Sequence, residues 1–199
     1  QVLLGNEAYI SPELPRQVQE KKVFTLNDSK YLLVELPFRD IPIYTDQVLY
    51  DLQIQGIVPV IAHPERYKSV MDNPNTLYSW ISNGALAQIN SGSLVGKFGE
   101  QVQKTAQILI QHNMIHFIGS DGHSVRSRKP VLSQALKGLE ETFRSKVELF
   151  HDNAKRLIAN EDIKVEKPLE YKKQKKRFFS GLFGGFIEKP TDMTESYIK

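Results

Sequence analysis

Four short stretches of this chain carry residues whose types and spacing could do chemistry. His63-Pro64-Glu65-Arg66 directly follows the apolar run Ile57–Ala62. Gly119-Ser120-Asp121-Gly122-His123-Ser124 places an aspartate and a histidine two apart among small residues, so both side chains can turn toward one site. Glu7 and Glu35 each close an apolar run of their own. Glu35 lies between Val34 and Leu36-Pro37-Phe38, where an unpaired carboxylate would be expensive. Glu7 is the weaker of the two, because a surface position would explain it equally well. With no cysteine in the chain, the donors on offer are the oxygen and nitrogen atoms of Glu, Asp and His. That set suits Mn, Fe or Zn, and several carboxylates together imply more than one ion. Arg66 and one of Arg126 and Arg128 have the planar fork that grips a phosphate through two bonds.

Other chemistries have no support. Without cysteine there is no thiol nucleophile, thiolate metal site or disulfide framework. There is no phosphate loop of the Walker type and no serine in a strand–elbow–helix setting. His112, His116 and His151 sit in ordinary helix or strand surroundings and receive no role. Residues 167–199 hold 8 basic and 4 acidic side chains, whereas residues 1–166 hold 18 and 19. The net charge of +3 thus belongs to the tail, and a basic body built for nucleic acid is excluded.

The elements that must position these residues follow from periodicity. Apolar runs end at Glu7, Glu35, His63, Asn90-Ser91 and Asp121, about 28 residues apart, which is roughly one βα unit. Helical stripes lie between them. Thr45 caps a helix over Asp46–Gln55 that stops at Gly56, and Asn73-Pro74 opens one through Leu77, Trp80 and Ile81. Val102, Ala106, Leu109 and Ile110 form a third stripe, and Leu132, Leu136, Leu139 and Phe143 a fourth. A last helix is expected over His151–Asn160. Continuous apolar strands alternating with amphipathic helices predict an α/β fold with a parallel sheet. Polar residues at the ends of successive strands favour a βα (TIM-like) barrel over an open doubly wound sheet. Five units do not close such a barrel, so its first units are expected to precede Gln1.

The motifs resemble those of the bacterial manganese-dependent protein-tyrosine phosphatases of the polymerase-and-histidinol-phosphatase (PHP) superfamily, the type found in capsule and exopolysaccharide loci. The similarity rests on Leu4-Gly5-Asn6-Glu7, Leu26-Asn27-Asp28, Leu33–Phe38, Ile61–Arg66, Asn90–Leu94 with Gly96 and Phe98-Gly99, and Gly119–His123. The resemblance implies a distorted βα barrel over residues 1–163. It implies Glu7, Glu35, His63, Asp121 and His123 as metal ligands, Arg66 and Arg128 as phosphate-binding arginines, and up to three manganese ions. It further implies hydrolysis of protein phosphotyrosine, with a bacterial tyrosine kinase as partner. The family opens with a His-x-His motif that this chain does not contain, so these residues alone are expected to be inactive. Two alternatives stand beside that function: a small-molecule phosphatase of the histidinol-phosphate type, and a non-catalytic fragment that binds a phosphoprotein.

With no signal peptide and no apolar run near 20 residues, a cytoplasmic location is expected. Residues 164–199 read as a flexible basic and aromatic tail. Within it, Lys172–Arg177 precede Phe178, Phe179, Leu182, Phe183 and Phe186. That pattern fits peripheral contact with an anionic membrane through residues 172–186, a solvated tail, or a segment that docks on a partner protein. Each basic residue near an anionic surface contributes about 1 kcal/mol, screened by salt. For the membrane reading, cosedimentation with anionic vesicles should occur at low salt, and should vanish at high salt or without residues 167–199. Binding that survives both changes excludes it.

Overall fold

The computed structural model describes residues 2–126 and 128–173. Five strands form one parallel sheet in the order β1-β2-β3-β4-β5. They span Glu7–Tyr9 (β1), Tyr31–Glu35 (β2), Val58–Ala62 (β3), Leu86–Asn90 (β4) and Phe117–Gly119 (β5). Each unit steps one strand further in the same direction. A doubly wound sheet would reverse at a switch point, and this order never does.

The longer helices lie where the apolar stripes place them, and the short ones at 14–19, 68–72 and 91–94 are not expected from periodicity. In chain order the helices are α1 (Leu14–Gln19), α2 (Thr45–Ile54), α3 (Lys68–Asp72), α4 (Asn75–Ser82), α5 (Ser91–Leu94), α6 (Glu100–Gln111) and α7 (Ser133–Ile158). Thr45 is the first helical residue of α2 rather than its cap. The last two expected helices are one long element broken at Phe143, where φ −141 and ψ 50 leave the helical region. Apolar stripes on both sides of that break bury Ala135, Leu139 and Phe150, so one continuous stretch covers the sheet.

Both faces of the sheet are apolar, as continuous runs require. Leu32, Val34, Ile61, Ala87 and Ile89 pack against Leu49, Leu52, Leu77, Leu109 and Ile110 in the main core. Each such buried side chain contributes about 1.5–3 kcal/mol relative to exposure. The opposite face carries a smaller cluster, Tyr31, Val60, Leu86 and Phe117, flanked by Leu157 and Ile163. By strand alternation Glu7 and Glu35 lie on this second face; Glu35 closes β2, but Glu7 opens β1 instead of closing an apolar strand as expected, because Val2 and Leu4 are exposed and lie outside the sheet.

The chain after α7 is tied back to the body. The buried Asn153 side chain accepts from Lys164 N (3.1 Å) and donates to the carbonyls of His116 and Lys164 (both 3.2 Å). The Tyr31 hydroxyl donates to Glu161 O (2.6 Å), and Leu169 N to His112 O (2.9 Å). Asn75 and Tyr171 exchange two bonds of 3.0 and 2.8 Å. Residues 161–171 therefore form a strap, although 164 onward reads as free tail in the sequence. Ile163 packs the strap against the second cluster and Tyr171 meets the His112 ring, while side-chain amides satisfy part of its backbone. Residues 174–186 of the expected membrane-contact segment lie outside the described residues. No helix among the described residues is long and apolar enough to cross a membrane.

His116 is buried beneath this strap. Its Nδ1 accepts from Ala87 N (3.1 Å), and Nε2 has no partner among the described residues. Burial, with a smaller contribution from nearby Lys146, lowers its pKa from 6.5 to about 4. The unfolded chain thus binds an extra proton between those values. The stabilisation is fully present above pH 6.5 and is lost as pH falls toward 4, a change on the order of 3 kcal/mol. Urea unfolding across pH 4–7 should show that slope, and His116→Asn should flatten it. An identical slope in both proteins would remove His116 as its source.

Candidate metal and anion site

The site gathers along one rim of the sheet, from Glu7 at the start of β1 to Glu35 at the end of β2 and His63 just past β3. Glu7, Glu35 and His63 each offer one ligand atom, and these atoms lie within 4.8 Å of one another. His63 Nε2 is 3.0 Å from Glu7 Oε1 and 3.4 Å from Glu35 Oε1. Strict alternation would send the His63 side chain after Ile61, to the helix face. A left-handed backbone at residue 63 (φ 32, ψ 54) turns the ring to the carboxylates instead. A non-glycine residue in that region, before a proline, is strained, and such strain collects at functional sites. The ring is almost fully buried and its Nδ1 has no partner among the described residues, so its polar contacts all lie on the Nε2 side.

Tyr67 staples the strand ends that carry these ligands. Its hydroxyl donates to Ala62 O (2.7 Å) and accepts from Leu36 N (2.9 Å), the neighbours of His63 and Glu35. Burial raises its pKa well above the usual phenol value, so it stays a donor. Glu65 performs a similar task on the other side. Fully buried, it accepts from Ser93 Oγ (2.5 Å) and Asn90 N (3.1 Å), joining the turn after β3 to the end of β4. Burial raises its pKa.

Asp121 lies next to this group, but its nearest partners are cations. Its Oδ2 accepts from Arg66 Nη1 (3.3 Å), Asn90 Nδ2 (2.7 Å) and Arg128 Nη2. Two guanidinium groups on separate elements thus converge on one carboxylate oxygen, with the Asp121 side chain only 6% exposed. Asp121 itself has left-handed φ (49°), which aspartate tolerates. The loop closes through His123 N and Ser124 N on Arg128 O (2.9 and 3.1 Å), which delivers Arg128 to Asp121. The His123 side chain is 57% exposed, and among the described residues its Nδ1 contacts Asp121 alone, at 3.0 Å to the carbonyl and 3.2 Å to Oδ1.

Of the seven site residues expected from sequence, Glu7, Glu35 and His63 form one group. Arg66, Arg128 and Asp121 form a second, and His123 hangs at the rim. Tyr67, Glu65, Asn90 and Ser93 are additions that sequence reasoning gives no role. Asn90 is visible as a polar strand end, and Glu65 as an acid between His63 and Arg66. Tyr67 has no local signal, because its task lies across two strands.

The donor set fits a divalent cation. Two carboxylates and one imidazole nitrogen in mutual reach are hard to borderline ligands, and the like charges of Glu7 and Glu35 call for a positive neighbour.

Comparison with known proteins places this geometry in context. A family model described as "Capsular polysaccharide synthesis, CpsB/CapC" matches residues 1–159. Tyrosine-protein phosphatase YwqE of Bacillus subtilis is 40% identical over 186 residues, covering 93% of this chain and 71% of that protein. Tyrosine-protein phosphatase CpsB of Streptococcus pneumoniae is 30% identical over 167 residues, covering 80% and 69%. A solved structure described as belonging to YwqE and CpsB, "unique metal-dependent tyrosine phosphatases", superposes with a TM-score of 0.83 at 40% identity. It covers 86% of this chain and 70% of the other.

Removing the Tyr67 hydroxyl should strand two buried backbone groups beside the site. Tyr67→Phe is expected to cost about 1–3 kcal/mol in urea unfolding and to weaken manganese binding in equilibrium dialysis. A variant equal to wild type in both measurements would show that the staple is idle.

Proposed function

We propose, on the premise that this chain belongs to the CpsB/CapC family of capsular polysaccharide synthesis proteins, that it catalyses metal-dependent hydrolysis of protein phosphotyrosine. The observation that carries this reading is the convergence of Arg66 and Arg128 on a single anionic oxygen beside the Glu7–Glu35–His63 group. A cation-binding cluster and a two-arginine anion grip on adjoining strand ends are what a phosphate monoester needs.

In this reading Glu7, Glu35 and His63 hold manganese, with iron or zinc as chemically similar occupants. Asp121 and His123 complete the ligand set, to a total of up to three ions. When bound, such ions lower the pKa of coordinated water and offset negative charge on phosphoryl oxygens. Arg66 and Arg128 hold two of those oxygens and keep phosphorus facing the metal group. The charge spread over the phosphoryl oxygens in the transition state strengthens both contacts. No covalent cysteinyl intermediate arises, since the chain has no cysteine. The sequential parallel order supports a βα barrel of the PHP type, whose mouth is this cluster of strand ends. The substrate is a phosphotyrosine protein, and the capsule-type family supports a bacterial tyrosine kinase in a cytoplasmic setting.

The test separates metal from phosphate. In the protein carrying the His-x-His segment with which the family opens, His63→Ala should lower bound manganese and abolish hydrolysis of a phosphotyrosyl peptide. Arg66→Lys should keep the metal and weaken inhibition by inorganic phosphate, because an ammonium cannot reproduce the two-bond grip. Full metal content and unchanged turnover in His63→Ala, or wild-type phosphate inhibition in Arg66→Lys, would sink the assignment.

A further inference from the structure

Arg66 lies between two aromatic rings. Its guanidinium carbon is 4.6 Å from the centroid of Phe38 and 4.5 Å from that of Phe98. The rings come from different segments, Phe38 after β2 and Phe98 between α5 and α6. Neither belongs to either core cluster of the described residues, and Phe38 remains 42% exposed. Their placement is therefore not accounted for by filling the interior.

The segment carrying Phe98 is built to press it inward. Gly96 and Gly99 flank it with φ of +77° and +96°, a region L side chains rarely adopt. Lys97 N donates to Gly92 O (2.9 Å), closing the turn. A Cβ on Gly92 would stand 3.0 Å from the Phe98 ring, so the ring occupies the space that only glycine leaves open. The turn thus holds the ring against Arg66 from one side, and Phe38 meets it from the other.

Two ring faces against one guanidinium restrict how it can turn and leave its N–H edge to meet an anion. That edge points at Asp121 Oδ2. A free arginine loses much rotamer freedom on gripping an anion, whereas one already held flat loses far less.

We propose that Phe98 and Phe38 are positioning residues that clamp Arg66 in its phosphate-gripping orientation, an inference that rests on the phosphate reading given above. Phe38 also stacks on His63 at 5.5 Å and 23°, so its replacement would disturb a metal ligand as well. Phe98 is the clean probe.

The experiment uses the full chain, with manganese for inorganic phosphate binding by calorimetry and for metal content, and with diamagnetic zinc in its place for the Arg66 Nε–H resonance by NMR. In wild type that resonance should be displaced by the two ring currents. Phe98→Leu keeps apolar bulk and removes the π face. It should weaken phosphate binding about tenfold, keep the metal, and move the Arg66 resonance toward its free position. Phe98→Tyr should restore all three to wild type. In an Arg66→Lys background, Phe98→Leu should change phosphate binding less than twofold. Phosphate binding unchanged by Phe98→Leu, or weakened equally in both backgrounds, overturns the clamp while leaving the phosphate reading intact. A wild-type protein with a ring-shifted Arg66 that binds no phosphate overturns the phosphate reading, and the clamp's role falls with it.

Discussion

Two carboxylates, Glu7 and Glu35, are held within hydrogen-bonding reach of one buried imidazole at the ends of adjacent strands. Left alone they repel, and much of the local architecture resists that repulsion. Parallel pairing sets Glu7 opposite Leu33 and Tyr9 opposite Glu35, so the two acids share a face two residues apart along the sheet. His63 leaves regular strand geometry to reach them, and the Tyr67 hydroxyl fixes the backbone on either side. The site is thus a strained, charge-loaded rim on an apolar sheet, stabilised by the core beneath it and suited to a cation.

The anion half of the site obeys the same constraint with the opposite sign. Arg66 and Arg128 would repel each other if Asp121 did not lie between them. Asn90, tied to Glu65 and so to the turn that bears Arg66, supplies a third donor to the same oxygen. Rearrangement at any one of these groups is felt by the others, because they share acceptors rather than lying side by side. The aromatic rings around Arg66 extend this network without adding charge, and the guanidinium edge meets Asp121.

Beneath the rim, structural polar groups do different work. His116 and Asn153 are buried where the strap crosses the sheet, and both are read correctly only once their neighbours are known. A histidine in a strand could be a ligand or a spacer. Its depressed pKa and its bond from Ala87 N mark His116 as a neutral acceptor in the packing, remote in role from the metal rim.

The sequence by itself determined the α/β class, the parallel sheet, the βα period and the residue types at the strand ends, because burial imposes periods of two and 3.6 on any chain that folds this way. It also exposed Glu35 and His63, since a carboxylate or imidazole directly after an apolar run is costly without a task, whereas Glu7, Arg66, Asp121 and His123 stood out by their motifs and Arg128 only by the family resemblance. Tertiary structure alone decided how they group: three around His63, three around Asp121 Oδ2, and His123 outside both. It alone recruited Tyr67, Glu65, Phe38 and Phe98, and it pinned residues 161–171 against the body. These depend on distances between segments far apart in the chain, on a left-handed turn that redirects one side chain, and on shared acceptors. No local pattern of residues encodes those, because each exists only once the strands are paired.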